Sequence, residues 1–292
     1  MLIVFKKIEL SDKELFDSYY KNGYYMGSEA CFSNNYAWHQ GYNIEFDIIN
    51  EFLCIRGKHG NKPPYYFMPF GNGDKKNTVK ILFDIAKENG EKLILKQLSS
   101  ENAKYIEQEF NGLFKIINNR NSAEYIYKTE DLINLSGKKL HAKKNHLNKF
   151  LKSYSFEYED LTPFACDEAL GFVLNQLEER EKTQDEEQSL NILFKNFETL
   201  KLVGGIIRID NKIQAVSLGE MLNSDTAVIH VEKANTEYNG SFAAINQMFV
   251  CNNFENARYI NREEDMGIDG LRRSKLSYNP ELLLKKFEAW EI

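Results

Sequence analysis

The sequence predicts a mixed α/β chain built as two similar halves, and three observations carry this. Short apolar stretches rich in β-branched and aromatic residues alternate with helix-periodic ones along all 292 residues. That length suits about two domains. The order strand, glycine turn, helix, strand also occurs twice, around Gly71 and around Gly240. No identities link the two copies, so the order of elements alone suggests tandem duplication. The expected halves are 1–130 and 131–292.

Taken in order, Met1 to Lys7 reads as a first strand and Asp12 to Tyr20 as an acidic-aromatic helix. Gly27 to Trp38 reads as a loop of aromatics and small polar residues. Phe46–Ile49 and Phe52–Ile55 are strands with a turn near Asn50, and Tyr65–Met68 is another. From Asn77 to Asn89, Val79, Leu82, Phe83 and Ala86 recur at i, i+3, i+4 and i+7, which defines one buried helix face. Gly90 then ends that helix as a C-cap. A strand at Lys92–Leu95, a helix around Ser100 to Phe110 and a strand at Glu124–Tyr127 close the half.

The second half opens with a basic helix, then a strand at Ser155–Tyr158 and two helices, about Asp167 to Lys182 and Gln188 to Lys201. Three strands follow. Leu202–Ile209 turns at Asp210-Asn211, a natural hairpin pair, into Lys212–Glu220, and that leads into Thr226–Lys233. After the Gly240 turn come a helix at 241–256, a strand at Arg258–Asn261 and a charged turn into a C-terminal helix.

Composition excludes several classes. No apolar run approaches the ~18 residues of a membrane span. The N-terminus lacks the pattern of a secretory signal. Cys31, Cys54, Cys166 and Cys251 are scattered, which points to reduced thiols in a cytoplasmic protein. Neither they nor the five histidines suggest a metal site. A net charge of −6 argues against a generally basic nucleic-acid binder, while leaving room for a local basic patch. Such a patch exists: Lys138 to Lys152 holds six lysines, with Leu140, Leu147 and Leu151 at helical intervals. It reads either as a solvated face or as a surface for the phosphates of RNA or of a cofactor.

The order of the second half resembles the GCN5-related N-acetyltransferase (GNAT) fold. More specific are Asp131-Leu-Ile-Asn-Leu-Ser-Gly-Lys-Lys139, Lys143-Lys-Asn-His146, His230-Val-Glu-Lys-Ala-Asn235, Ile260-Asn-Arg-Glu-Glu-Asp265 and Leu271-Arg-Arg-Ser-Lys-Leu-Ser-Tyr278-Asn-Pro280. These resemble a bacterial family grouped with the C-terminal domain of phosphatidylglycerol lysyltransferases. The resemblance implies two tandem GNAT-like domains, each a mixed, mostly antiparallel sheet flanked by helices, with the site in the second. It also implies transfer of an acyl or aminoacyl group, from coenzyme A or an aminoacyl-tRNA, to a small amine or hydroxyl acceptor. The alternative is a non-catalytic binding module that keeps the fold.

Acyl transfer needs a proton acceptor, and the period of two in Thr226–Lys233 puts Val228, His230 and Glu232 on one face. Glu232 is the candidate base, with His230 relaying or orienting the proton; the plain alternative is two polar residues satisfied by neighbouring strands. A strand feeding a glycine turn that opens a helix presents free N–H groups to an anion. The cofactor candidates are therefore Lys233, Asn239, Gly240, Ser241, Phe242 and Ala243, with Lys143 and Lys144 from the basic helix. Glu237 and Phe242 stand where the GNAT pattern has a basic or amide residue and a small one, which works against the usual coenzyme A mode. Asn261, Glu264, Asp265, Arg272 and Lys275 are candidates for holding the charged ends of a substrate, or for an internal salt-bridge network. Tyr278 matches by resemblance the phenol that protonates a leaving thiolate; its alternative is packing over the turn.

Overall fold

A computed structural model describes residues 4–21, 23–177 and 183–292. The expected first strand at 1–3 and the end of the helix expected to reach Lys182, at 178–182, lie outside the described residues. The chain divides into two compact units, Met1–Glu124 with Leu284–Ile292, and Tyr125–Leu283. This division falls at Glu124/Tyr125 rather than at 130/131, because Tyr125, Tyr127 and Leu132 are buried in the second unit's core. The last residues belong to the first unit.

The first unit holds β1 (Lys6–Lys7), α1 (Lys13–Tyr20), α2 (Phe32–Ala37), β2 (Glu45–Ile49), β3 (Phe52–Gly57), β4 (Tyr65–Phe67) and β5 (Phe70–Gly71). Then come α3 (Lys75–Glu88), β6 (Ile94–Leu98), α4 (Ser100–Glu109) and β7 (Phe114–Asn118). The apolar stripe of α3 packs as its spacing predicts: Val79, Leu82 and Ala86 are 0% exposed. Full burial stabilises a Val or Leu side chain by about 1.5–3 kcal/mol. Two expectations change. Gly27 to Trp38 is not all loop: Phe32 and Ala37 are buried and Asn35 Nδ2 donates to Cys31 O at 2.8 Å, which suits a helical turn. Phe114–Asn118 forms a strand that the pattern did not announce.

The second unit's elements run β8 (Glu124–Lys128), α5 (Thr129–Asn134), α6 (His141–Ser153), β9 (Glu157–Asp160), α7 (Cys166–Asn175), α8 (Gln184–Lys195) and α9 (Phe197–Leu200). They continue as β10 (Val203–Ile209), β11 (Lys212–Met221), β12 (Thr226–Ala234), α10 (Ser241–Asn253), β13 (Tyr259–Glu264), α11 (Asp269–Leu276) and β14 (Leu282–Leu284). β15 (Phe287–Glu291) then returns to the first sheet. Asp210 and Asn211 both adopt positive φ, 52° and 60°, which closes the β10–β11 hairpin with the right-handed twist of its strands.

Strand order is β1-β2-β3-β4-β6-β15-β7 in the first sheet, with β5 on β3, and β14-β8-β13-β12-β11-β10-β9 in the second. Most neighbours are antiparallel; β4–β6 and β12–β13 are parallel. The parallel pairing of β12 and β13 covers only Thr226↔Tyr259, Ala227↔Ile260 and Val228↔Asn261. Beyond Val228 the pairing ends while both strands continue, which leaves an opening between them. α10, which joins the two strands, packs on α6 and covers the sheet.

Candidate functional site

Beside that opening in the second unit lies a cleft of about 300 Å³. Its walls come from α6 (Lys143, His146), β12 (Glu232), the turn and first residues of α10 (Thr236, Tyr238 to Ala243), β13 (Arg262) and the last turn region (Ser274, Tyr278). Of the residues anticipated from sequence, Glu232, Asn239, Gly240, Ser241, Phe242, Ala243, Lys143 and Tyr278 therefore meet in one place.

Gly240 makes the anion-facing end possible in two ways. Its φ is 94°, in the left-handed region that L side chains avoid. A Cβ there would also lie 2.2 Å from the carbonyl oxygen of His146. Glycine lets α6 and the start of α10 touch, which brings Lys143 and His146 to the helix N-terminus. No side chain caps α10. Ser241 is turned inward: its N–H donates to Tyr238 O at 3.0 Å and its hydroxyl to Asn235 O at 2.8 Å. The amides of Phe242 and Ala243, in the first helical turn, are the ones left to face the cleft.

Glu232 is held from both sides. Arg262 Nη2 donates to its Oε1 at 2.6 Å and Asn246 Nδ2 to its Oε2 at 2.8 Å. Arg262 is a cleft residue that the sequence reading did not single out as a candidate. Its guanidinium lies 4.7 Å from the Tyr278 ring centre and 5.6 Å from that of Tyr127, and its Nη1 has no hydrogen-bond partner. Burial opposes its charge, and the Glu232 carboxylate outweighs that, raising its pKa. A signal was present: in β13 Arg262 shares the parity of the fully buried Ile260, so an inward cation needed an inward carboxylate. Asn246, His146 and Ser274 gave no comparable signal, because their importance depends on which helix packs where.

Tyr278 is 3% exposed, and burial pushes its phenol up to about 12 against the lowering influence of Arg262. Lys143 Nζ sits 4.2 Å from the centre of its ring. Burial, and then the neighbouring Arg262 charge, hold the Lys143 ammonium below the usual lysine range.

The remaining candidates lie elsewhere. His230 is packed between two carboxylates, with Nδ1 2.9 Å from Glu263 Oε1 and Nε2 3.1 Å from Glu220 Oε1. Asn261 Oδ1 accepts from the Glu263 amide at 2.7 Å, in the β13 backbone rather than in the cleft. Asp265 accepts from Tyr125 Oη at 2.6 Å and from Arg272 Nε and Nη2 at 2.9 Å and 2.8 Å. Lys275 Nζ donates to the carbonyl oxygens of Arg262 and Glu264, each at 2.5 Å. Asp265, Arg272 and Lys275 thus tie α11 to β13, and Glu264 takes part through its backbone. Neither Lys233 nor Lys144 lines the cleft; Lys144 is exposed on α6.

No helix among the described residues is long and apolar enough to cross a membrane. A crystal structure of a conserved protein of unknown function from Bacteroides thetaiotaomicron is similar with TM-score 0.94 at 35% identity, covering 100% of both chains. L-PGS from Bacillus licheniformis is similar with TM-score 0.68 at 17% identity, over 96% of this chain and 92% of that one. A tandem GNAT protein from the clavulanic acid biosynthesis pathway matches with TM-score 0.53 at 10% identity, over 99% and 98%. The last two likenesses are of fold, and they establish two tandem GNAT-like units. The profile of one family, described as phosphatidylglycerol lysyltransferase, C-terminal, matches residues 24–289. The chain belongs to that family.

Proposed function

We propose that the cleft of the second unit transfers an aminoacyl group from the 3′ end of an aminoacyl-tRNA to an amine or hydroxyl acceptor. The observation that carries this reading is the convergence of an uncapped α10 N-terminus, Lys143 and Arg262 around one space whose carboxylate, Glu232, is already paired. Such a space suits a ligand with a phosphate at one end and an ester carbonyl at the other. Membership of the phosphatidylglycerol lysyltransferase C-terminal family favours the same class. Exposed Phe242, at the first turn of α10, narrows the approach that a coenzyme A pyrophosphate needs, so a tRNA end is the better donor.

In this reading the acceptor nitrogen or oxygen attacks the ester carbonyl carbon. The new acyl bond forms, the bond to the ribose oxygen breaks, and the acceptor's proton ends on that ribose hydroxyl. Donors aimed at the carbonyl oxygen stabilise the charge that develops there. Arg262 supplies this positive field, and Glu232 and Tyr278 hold it in place. Lys143 lines the cleft beside Arg262 and is the candidate to move the proton. Glu232 acts here by orienting Arg262.

The test is to incubate the protein with tRNA charged with radiolabelled amino acids and a panel of amine and hydroxyl acceptors. Label should move from tRNA to one acceptor class, and Lys143→Met should slow this by roughly 10²-fold or more. Label that stays on tRNA with every acceptor, together with a melting-temperature rise on adding acetyl-coenzyme A, would overturn the donor assignment.

A further inference from the structure

The walls of the cleft are one-sided in charge. Lys143 and Arg262 contribute two cations, and His146 adds a group that gains charge in mild acid. Among the described residues Glu232 is the one carboxylate that lines the space. That carboxylate is already taken: its Oε1 accepts from Arg262 Nη2 at 2.6 Å and its Oε2 from Asn246 Nδ2 at 2.8 Å. The acidic side chains that flank these positions in sequence are held elsewhere. Glu237 is turned to Asn235, whose Nδ2 lies 3.5 Å from its Oε2, and Glu263 Oε1 faces His230 Nδ1 at 2.9 Å. Asp265 accepts from Tyr125 and Arg272, and the charge of Glu264 bears on the buried Lys275. Thr236, Tyr238, Ser274 and Tyr278 add hydroxyls to the walls and no charge.

Lys143 shows what this arrangement does to a positive group. Burial, and then the Arg262 charge beside it, hold its ammonium below the ordinary lysine range, and Glu232 offsets them only in part. A second ammonium brought into the same space meets those two effects and the charge of Lys143 as well. Every aminoacyl ester carries one α-amino group, so that group does not discriminate among amino acids. A lysyl or arginyl side chain adds a second cation, and the described walls hold no unpaired carboxylate to receive it. An alanyl or seryl side chain meets no such opposition, and a glutamyl one is attracted.

We propose that the cleft selects aminoacyl groups whose side chains carry no positive charge, and rejects lysyl and arginyl groups by repulsion. The inference rests on the aminoacyl-tRNA reading and adds which amino acids it applies to. Selection of this kind works through an unfavourable contact with the wrong substrate rather than a closer fit to the right one. The lysyl group in the description of the family is then not the group that this cleft is built to hold.

The experiment uses the full chain and non-hydrolysable donor analogues. Each is 3′-amino-3′-deoxyadenosine 5′-phosphate joined through an amide to lysine, arginine, alanine, serine, glutamate or norleucine. Norleucine matches the length of lysine without its charge, which separates repulsion from size. Affinity is measured by isothermal titration calorimetry at neutral pH and at low and high salt. The lysyl and arginyl analogues should bind roughly 10-fold or more weakly than the other four, and salt should narrow that gap. Lys143→Glu places a carboxylate on the same wall and should raise lysyl affinity to at least the norleucyl value, with the melting temperature reporting that the variant is folded. Equal affinity of the parent for the lysyl and norleucyl analogues, whether both bind or both are rejected, would overturn selection by charge and leave the aminoacyl-tRNA reading standing. Failure of every analogue to bind would remove the aminoacyl-tRNA reading, and this inference with it.

Discussion

The helix that follows the parallel-paired strand starts differently in the two units. In the first, α3 follows β4 and β5 and leads into β6; in the second, α10 follows β12 and leads into β13. The N-terminus of α3 is closed by its own sequence, since the Asp74 carboxylate accepts from the Asn77 amide at 2.9 Å. At α10 the equivalent position is Gly240, which has no side chain to offer. A helix N-terminus attracts one anion, and the first unit supplies it internally. Only the second unit leaves the place open beside a lysine and an arginine. Repeating a fold therefore does not repeat a site; the capping residue and the cations beside the helix start both differ between the copies.

The most severe way to break this difference is Gly240→Val. Both the positive φ and the His146 carbonyl 2.2 Å from a Cβ oppose it. A loss of about 2–5 kcal/mol is expected, read by chemical denaturation, with donor binding lost in whatever remains folded. Unchanged donor affinity in folded protein would mean that the start of α10 is not where the anion sits.

Glu232→Gln comes next. It leaves the buried Arg262 guanidinium without its carboxylate, at a cost on the order of 3 kcal/mol. If Glu232 orients Arg262, melting temperature and turnover fall together. A turnover loss of roughly 10²–10⁴-fold at unchanged stability would make Glu232 the base itself.

The buried lysines of the two units should respond oppositely to pH. Burial pushes Lys275 down to about 8, because carbonyl oxygens rather than paired carboxylates receive its Nζ. Between that value and 10.5, its ordinary value, the unfolded chain holds a proton that the folded chain has released. Stability relative to Lys275→Met should therefore rise with pH, by roughly 2 kcal/mol from pH 8 to pH 10. In the first unit burial also opposes the charge on Lys286, yet Glu124 and Glu29 outweigh it and raise its pKa. Its contribution is present below 10.5 and is lost above that value. Urea titrations of both Lys→Met variants across this range check the signs; parallel trends would show that the two environments are alike.

The smallest effect is expected at Asp74. Replacing it with Ala should cost about 1 kcal/mol of stability. No donor affinity should appear, because the first unit lacks a counterpart of the Lys143–Arg262 pair at that helix. Binding gained in a Lys143→Met variant that also carries Asp74→Ala would show that the cap alone separates the two units.

The sequence by itself determined what depends on neighbours along the chain. The period of two placed β12 as a strand, although a bulge at His230 breaks the face it was expected to share with Glu232. The i, i+3, i+4, i+7 spacing placed α3 and its buried Val79, Leu82 and Ala86, and an Asp-Asn pair and a glycine marked the hairpin and the start of α10. Tertiary structure alone decided what depends on strands far apart in sequence. It set Arg262 against Glu232, 30 residues away, and turned His230 toward Glu220 and Glu263 instead of the cleft. It also inserted β15 between β6 and β7. The physical reason is that a backbone's periodicity fixes which way a side chain points, whereas the partner it meets is set by strand register and by the parting of β12 and β13. Neither leaves a trace in the order of residues.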